Sequence, residues 1–205
     1  MQIISSWDDG SKEDFRIAGL LKKYELNGVF FIPNTTELTE SQIKELSVDF
    51  EIGGHTVHHP SDIKLLSIHD QAKEISVNKQ WLERIIDKKI DWFCYPRGRY
   101  NDDTIKLVKA SGFKYARTTL VTHIEPADDS YKTHTTIHVY PERVEYGGRN
   151  WLEVAKELFD RAKRIENSVY HIWGHGWEIE KFNLWEDLEE LLKYICNEKN
   201  QTNKG

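Results

Sequence analysis

Cysteine, methionine and proline are scarce in this chain: two, one and five residues respectively among 205. Cys94 and Cys196 lie far apart in sequence. No disulfide framework is implied, and the core must be made by packing. Long apolar runs are missing too; none approaches the roughly 20 residues of a membrane span. Basic excess is also lacking, with 28 Lys and Arg against 34 Asp and Glu and a net charge of −6. That balance excludes nucleic acid and an anionic membrane as the expected partner. No internal repeat, linker or shift in composition divides the chain, so residues 1–197 are expected to form one domain. Residues 198–205 read as a polar, frayed tail. The chain enters a strand within two residues of Met1, with no leader segment in the sequence, and the expected compartment is the cytoplasm. Oligomeric state is left open.

Aromatic residues are plentiful at 12% of the chain. Strand and helix patterns alternate along it. Apolar strands are expected at 2–5, 29–32, 50–52, 92–95, 115–118 and 169–173, with a weaker one at 136–139. Helices are expected between them, opened by Thr39, Ser67, Asn101 and Asn150 as capping residues, with a final helix from about Leu184 to Cys196. The segment 119–149 is the least regular. Repeated strand–helix units imply a parallel sheet, open or closed into a barrel.

The polar clusters fall at the C-terminal ends of these strands. Asp8 and Asp9 follow the first, His55 and His59 the third, and Tyr95 to Gly98 the fourth. Arg117 ends the fifth and His175 follows the last. α/β barrels and open α/β sheets alike place their sites at that end. His55 and His59, four apart in a loop after Gly53-Gly54, offer two imidazoles, and Asp9 is the natural third ligand. Two imidazoles and one carboxylate suit a divalent metal with an open fourth position. His134 and His138 have the same spacing and are the competing pair. Asp8 then fits a general base and His175 a general acid, with a backbone N–H near Arg97-Gly98 supporting an oxyanion. The reaction class these residues suggest is metal-assisted hydrolysis of an amide. Tyr95, Trp173 and Trp177 are candidates to stack on a sugar ring. Glu178 either orients His175 or is solvated, and Cys94 reads as a small core hydrophobe.

Ser6-Trp7-Asp8-Asp9-Gly10 resembles the first motif of the polysaccharide deacetylase family (the NodB-homology domain of carbohydrate esterase family 4). His55-Thr56-Val57-His58-His59-Pro60 resembles its second motif, Tyr95-Pro96-Arg97-Gly98 its third and Gly174-His175 its last. The resemblance covers roughly residues 2 to 196. It implies a single-domain distorted (β/α) barrel and one divalent metal held by Asp9, His55 and His59, with Zn2+ first and Co2+, Ni2+ or Mn2+ as alternatives. It further implies Asp8 as base, His175 as acid, and removal of N- or O-acetyl groups from a carbohydrate such as an N-acetylglucosamine glycan. Two positions depart from the pattern. The family's third motif begins with an Arg that pairs with the base, and Cys94 stands there; Arg117, or Arg97 and Arg99, must supply that charge. The last motif is polar and aromatic, and His171, four before His175, is the alternative acid. Two further readings stay open: hydrolysis of a cyclic amide or ureide on the same barrel, and a carbohydrate-binding relative without catalysis.

Overall fold

The structure, a computed structural model, describes residues 1–202. Seven strands form one parallel sheet in the order β5-β4-β3-β2-β1-β7-β6: β1 (Gln2–Asp8), β2 (Val29–Ile32), β3 (Glu51–Gly54), β4 (Trp92–Cys94), β5 (Tyr115–Arg117), β6 (Ile137–His138) and β7 (Val169–His175). The helices are α1 (Asp14–Lys23), α2 (Glu40–Asp49), α3 (Ile68–Ile86), α4 (Asp102–Ala110), α5 (Trp151–Ala162), α6 (Gly176–Lys181) and α7 (Trp185–Thr202). α3 packs between α2 and α4, while α1 and α5 pack against α7. The sheet curls into a distorted (β/α) barrel, the architecture expected from the sequence. All four residues of β2, Val-Phe-Phe-Ile, are buried, as a strand covered on both faces requires.

The expected caps form. Thr39 and Asn101 each complete a reciprocal capping box, with Gln42 and Thr104 respectively. The Ser67 and Asn150 side chains accept from backbone N–H groups of the first turn. Each such cap satisfies helix-end donors that otherwise need water.

The irregular segment after β5 closes the barrel. Thr133 bridges Arg117 of β5, while Ile137 and His138 pair with Ile172 and Trp173 of β7. Threonine hydroxyls supplement the short ladders: Thr133 Oγ1 donates to Ala116 O at 2.9 Å, Thr135 Oγ1 to Leu120 O at 2.6 Å and Thr136 Oγ1 to His123 O at 2.6 Å.

Several boundaries differ from expectation. β1 runs on through Asp8, so Asp8 is a strand residue and only Asp9 begins the turn. β7 likewise runs through His175, and α6 starts at once with Gly176. Two glycines near His175 read as a loop, but Gly176 is a packing glycine: a Cβ there would lie 2.5 Å from Ser11 Oγ. The tail expected at 198–205 is helical as far as Thr202, with Lys163 paired to Glu198; residues 203–205 lie outside the described residues. Among the described residues no helix is long and apolar enough to cross a membrane.

Candidate active site

Asp8 and His175 are register partners on the adjacent strands β1 and β7. The Asp8 carboxylate is buried, and its Oδ2 lies 4.0 Å from His175 Nε2. Beyond Asp8 the backbone turns over. Asp9 has φ 79° and its N–H donates to Phe31 O at 3.1 Å. This left-handed step breaks the strand's alternation and sends the neighbouring carboxylates to different partners. Gly10 continues it with φ +64°, where any Cβ would overlap the Thr36 side chain, so only glycine fits.

Asp9 Oδ1 lies 3.5 Å from His55 Nε2 and 3.6 Å from His59 Nε2. The three potential ligand atoms are all within 4.8 Å of one another. The loop carrying the histidines is bent by left-handed backbone at Thr56 (φ 68°) and His59 (φ 48°). At a β-branched residue such as Thr56 that conformation costs about 1–3 kcal/mol. It is held by Asn34 N–H donating to Thr56 O at 3.3 Å and His59 N–H to Thr56 Oγ1 at 3.1 Å. Asn78 ties the loop down: its Oδ1 accepts from His55 N–H at 2.9 Å, and its Nδ2 donates to Ile32 O and Asn34 Oδ1, each at 2.9 Å.

The donor set fits a cation. His55 Nδ1 donates to Cys94 O at 2.9 Å, which leaves Nε2 of the neutral ring as a lone pair facing the Asp9 carboxylate. Two acceptors at 3.5 Å repel unless a positive charge lies between them. Burial opposes a charged His55, but Cys94, Asp9 and Asp8 outweigh it and raise its pKa well above the usual imidazole value, so the ring favours positive charge, a proton or a cation, at Nε2. Burial also opposes a charged Asp9, yet His55, His175 and Trp177 hold its pKa low. These are the marks of a site organised around positive charge, and His–His–carboxylate is a zinc-type set.

Arg117, fully buried at the end of β5, donates from Nη2 to Asp8 Oδ2. Its guanidinium sits 4.6 Å from the Trp173 ring centroid and 5.3 Å from that of Phe31. Cys94 Sγ lies 2.7 Å from the same Nη2. Burial alone would raise the Asp8 pKa, but Arg117, then His55 and His175, hold it below the usual carboxylate value. The other two arginines are elsewhere: Arg99 pairs with Asp62 at 3.1 Å, and Arg97 is exposed on the turn after β4.

His175 Nδ1 and His138 Nε2 share one acceptor, Glu178 Oε2, at 2.5 and 2.9 Å. Burial pushes Glu178 up, but these two hydrogen bonds carry its pKa down to about 2. Burial pushes His175 down, and Glu178 and Asp8 outweigh it, leaving its pKa raised. His171, the alternative acid, is buried with Nε2 at 2.8 Å from Ser6 Oγ. Burial and the Arg117 charge lower its pKa to about 3, so the ring favours its uncharged form, which is a poor acid.

Other expected contacts are not formed. The Tyr95 side chain is core, buried between Phe93 and Tyr100 with its hydroxyl donating to Tyr131 O at 3.1 Å. Strand β4 ends one residue earlier than the pattern suggested, and the Pro96 turn carries the Tyr95 ring into the packed interior. Gly98 N–H is taken by Tyr95 O at 2.8 Å, so it does not face the site. His134 and His138 do not meet: His134 stacks on His123 at 4.4 Å while His138 goes to Glu178. Trp177, 42% exposed, donates from Nε1 to Asp9 Oδ2 at 3.0 Å. With Asp9, Ser11, Pro33, Thr35, Glu37 and His59 it lines a cleft of about 280 Å³. A larger hollow of about 570 Å³ lies at the other end of the strands, around Gly28, Glu51 and Asp91. It contains none of these groups, and the chemistry places the site in the smaller cleft.

Residues 2–116 match the polysaccharide deacetylase family model, and the chain belongs to that family. YxkH of Bacillus subtilis (strain 168), which bears a polysaccharide deacetylase name, is 28% identical over 124 residues, covering 57% of this chain and 44% of that protein. This chain therefore spans less than half of that relative's length. Among solved structures, the Streptococcus pyogenes deacetylase PplD, in complex with acetate, matches at TM-score 0.59 and 25% identity over 64% of this chain and 62% of that one. BA3943 of Bacillus anthracis, a CE4 family pseudoenzyme, matches at TM-score 0.65 and 17% identity over 97% of this chain and 61% of its own. That likeness extends the common fold across the whole barrel.

Proposed function

We propose that the chain is a metal-dependent hydrolase that removes an acetyl group, first of all an N-acetyl group, from a carbohydrate. The observation that carries this reading is the convergence of Asp9, His55 and His59 on one point, with Asp8 and His175 on adjoining strands beside it. Its family and the acetate held by a solved relative support it. One family member is a pseudoenzyme, so activity here rests on this chain's own residues, and the nearness of Asp8, Asp9, His55, His59 and His175 supports it.

Asp9, His55 and His59 would hold one divalent cation, with zinc first and cobalt, nickel or manganese as alternatives. Bound there, such a cation would polarise the substrate carbonyl and acidify the attacking water. Asp8, kept ionised and aimed by Arg117, accepts the proton of that water. His175, favoured as the charged ring by Glu178 and Asp8, donates its Nδ1–H to Glu178 and keeps its second proton on Nε2, on the side facing Asp8 and Asp9. It gives that proton to the departing amine. Trp177 offers an exposed indole face at the rim, suited to one face of a sugar ring.

Acetate release from a panel of N-acetylated sugars and oligomers, with added Zn2+ or Co2+, tests the reading. Release that depends on the cation is expected. No release from any sugar, together with turnover of a cyclic amide or ureide, would replace the carbohydrate reading. Tight cation binding with no turnover of either class would make the chain a binding relative.

A further inference from the structure

We propose that His138 is a positioning residue that supports the acid and the base together. Its ring edge holds the carboxylate that orients His175, and its ring face packs the indole that carries the guanidinium held against Asp8. This rests on the assignment of Asp8 and His175 above.

Two chains of contact start from this one imidazole. Nε2 reaches Glu178 Oε2 at 2.9 Å, and the same oxygen reaches His175 Nδ1 at 2.5 Å. The ring face lies on Trp173 at 3.8 Å with planes 8° apart. Trp173 in turn faces the Arg117 guanidinium at 4.6 Å, and Arg117 donates to Asp8. His138 is 5% exposed and is absent from the residues lining the cleft, so it acts through other groups and does not touch substrate.

Its own position is over-determined. The Tyr146 hydroxyl accepts from His138 N–H and donates to His138 O, both at 2.8 Å. The other ring face is covered by Tyr140 at 5.2 Å with planes 10° apart. Nδ1 has no partner among the described residues, so the one proton of a neutral ring sits on Nε2, where Glu178 accepts it. Histidine combines a flat face for the indole with an edge donor at that reach. Phenylalanine keeps the face and loses the donor. Glutamine keeps a donor at similar reach and loses the face.

The test compares His138→Phe and His138→Gln with the full-length wild type on an ordinary N-acetyl sugar and on an acetyl ester with an activated leaving group. His138→Phe is expected to lower kcat on the sugar about 10- to 100-fold, the usual cost of losing such an outer support. KM and bound metal should be unchanged, and turnover of the activated ester nearly intact, because the acid is then dispensable. His138→Gln should lose activity on both substrates alike, since only the Asp8 branch is loosened. The second readout is the proton NMR signal of the hydrogen-bonded His175 Nδ1–H: it should move in His138→Phe and stay in His138→Gln. That signal is read whether or not any substrate turns over, so an inactive wild type counts against the proposed function and leaves this test standing. An unmoved signal in His138→Phe overturns the proposal, as does equal loss on both substrates in that variant. If His138→Phe does not fold, Tyr146→Phe frees the His138 backbone with the ring retained. It should then show the same substrate-dependent loss to a smaller degree, and an unchanged profile there overturns the proposal.

Discussion

Asp9, Thr56 and His59, on the ligand wall of the site, all have left-handed backbone, and their loops are fastened mainly by main-chain hydrogen bonds and one asparagine. Asp8, Arg117, His138, His175 and Glu178, on the opposite wall, lie in strands or a helix and are fastened by side chains to one another. The ligand wall is precise because the chain is bent there. The wall proposed to carry the acid and base is precise because charges and rings from five separate elements, β1, β5, β6, β7 and α6, interlock. Substitutions on the first wall should therefore cost cation binding and leave folding nearly intact. On the second, they should cost turnover, and in the buried pair stability too.

The largest expected effect falls on turnover at the second wall. Asp8→Asn and His175→Ala should each lower kcat about a hundred- to ten-thousand-fold, the range for loss of a general base or acid, with metal content unchanged. An activated leaving group should rescue His175→Ala and not Asp8→Asn. Loss of the metal in either variant, measured by elemental analysis, would merge the two walls into one.

Next comes the buried pair. Arg117→Met leaves the Asp8 charge unpaired in the interior and should destabilise by about 3–5 kcal/mol, read from urea unfolding. Adding Asp8→Asn removes the stranded charge, so the double variant should recover part of that loss. Strict additivity of the two substitutions would show that the pair is not coupled. On the first wall, His55→Ala and His59→Ala should lose bound metal with little change in unfolding midpoint. Asn78→Ala should weaken metal binding about 10- to 100-fold while turnover per bound metal is kept; a fall in that turnover would show Asn78 acting on the second wall as well.

The smallest effect is on pH dependence. Burial takes the pKa of His138 to about 4 and burial with Arg117 takes that of His171 to about 3, from the ordinary 6.5. Below pH 6.5 the unfolded chain therefore takes up protons that the folded chain refuses. Stability from these two groups is complete above pH 6.5 and is lost as pH falls toward 4 and then 3. His55 and His175, with raised values, contribute in the opposite sense: their share is full at low pH and fades as pH rises above 6.5. His138→Gln should therefore lose less stability than wild type between pH 6.5 and 4.5, by urea titration at each pH. Equal loss in the two proteins would mean that His138 is charged in the fold.

Legibility in the sequence divides along the same line. Asp8-Asp9-Gly10 and His55 to His59 are short, local patterns, and a loop's chemistry can be read from its own residues. Arg117 was reachable from its place at a strand end together with the cysteine at 94. Glu178 was legible only as one of two readings, because Gly174 and Gly176 made its helix look like a loop. His138 reads in the sequence only as half of a competing pair. Its strand is two residues long and takes its meaning from β7, more than thirty positions away, where periodicity says nothing. Tyr95 erred in the other sense: strand alternation does not say which face of a short strand meets the cleft and which meets a helix. The barrel itself was legible throughout, since alternating strands and capped helices repeat along the whole chain.

The pairing of β1 with β7 has a consequence during synthesis. Asp8 is made among the first residues, and its register partner His175 is made 167 residues later. While the chain is still emerging, β1 has β2 as a neighbour on one edge and nothing on the other. The proposed cation ligands are all made once His59 has appeared, but the proposed acid His175, Glu178 and strand β7 are not. Contacts this distant in sequence form slowly, so under the proposed roles a nascent or C-terminally shortened chain would assemble Asp9, His55 and His59 before Asp8 meets His175. On the proposed reading, turnover would wait until β7 docks, since Asp8 meets His175 only across that strand pair.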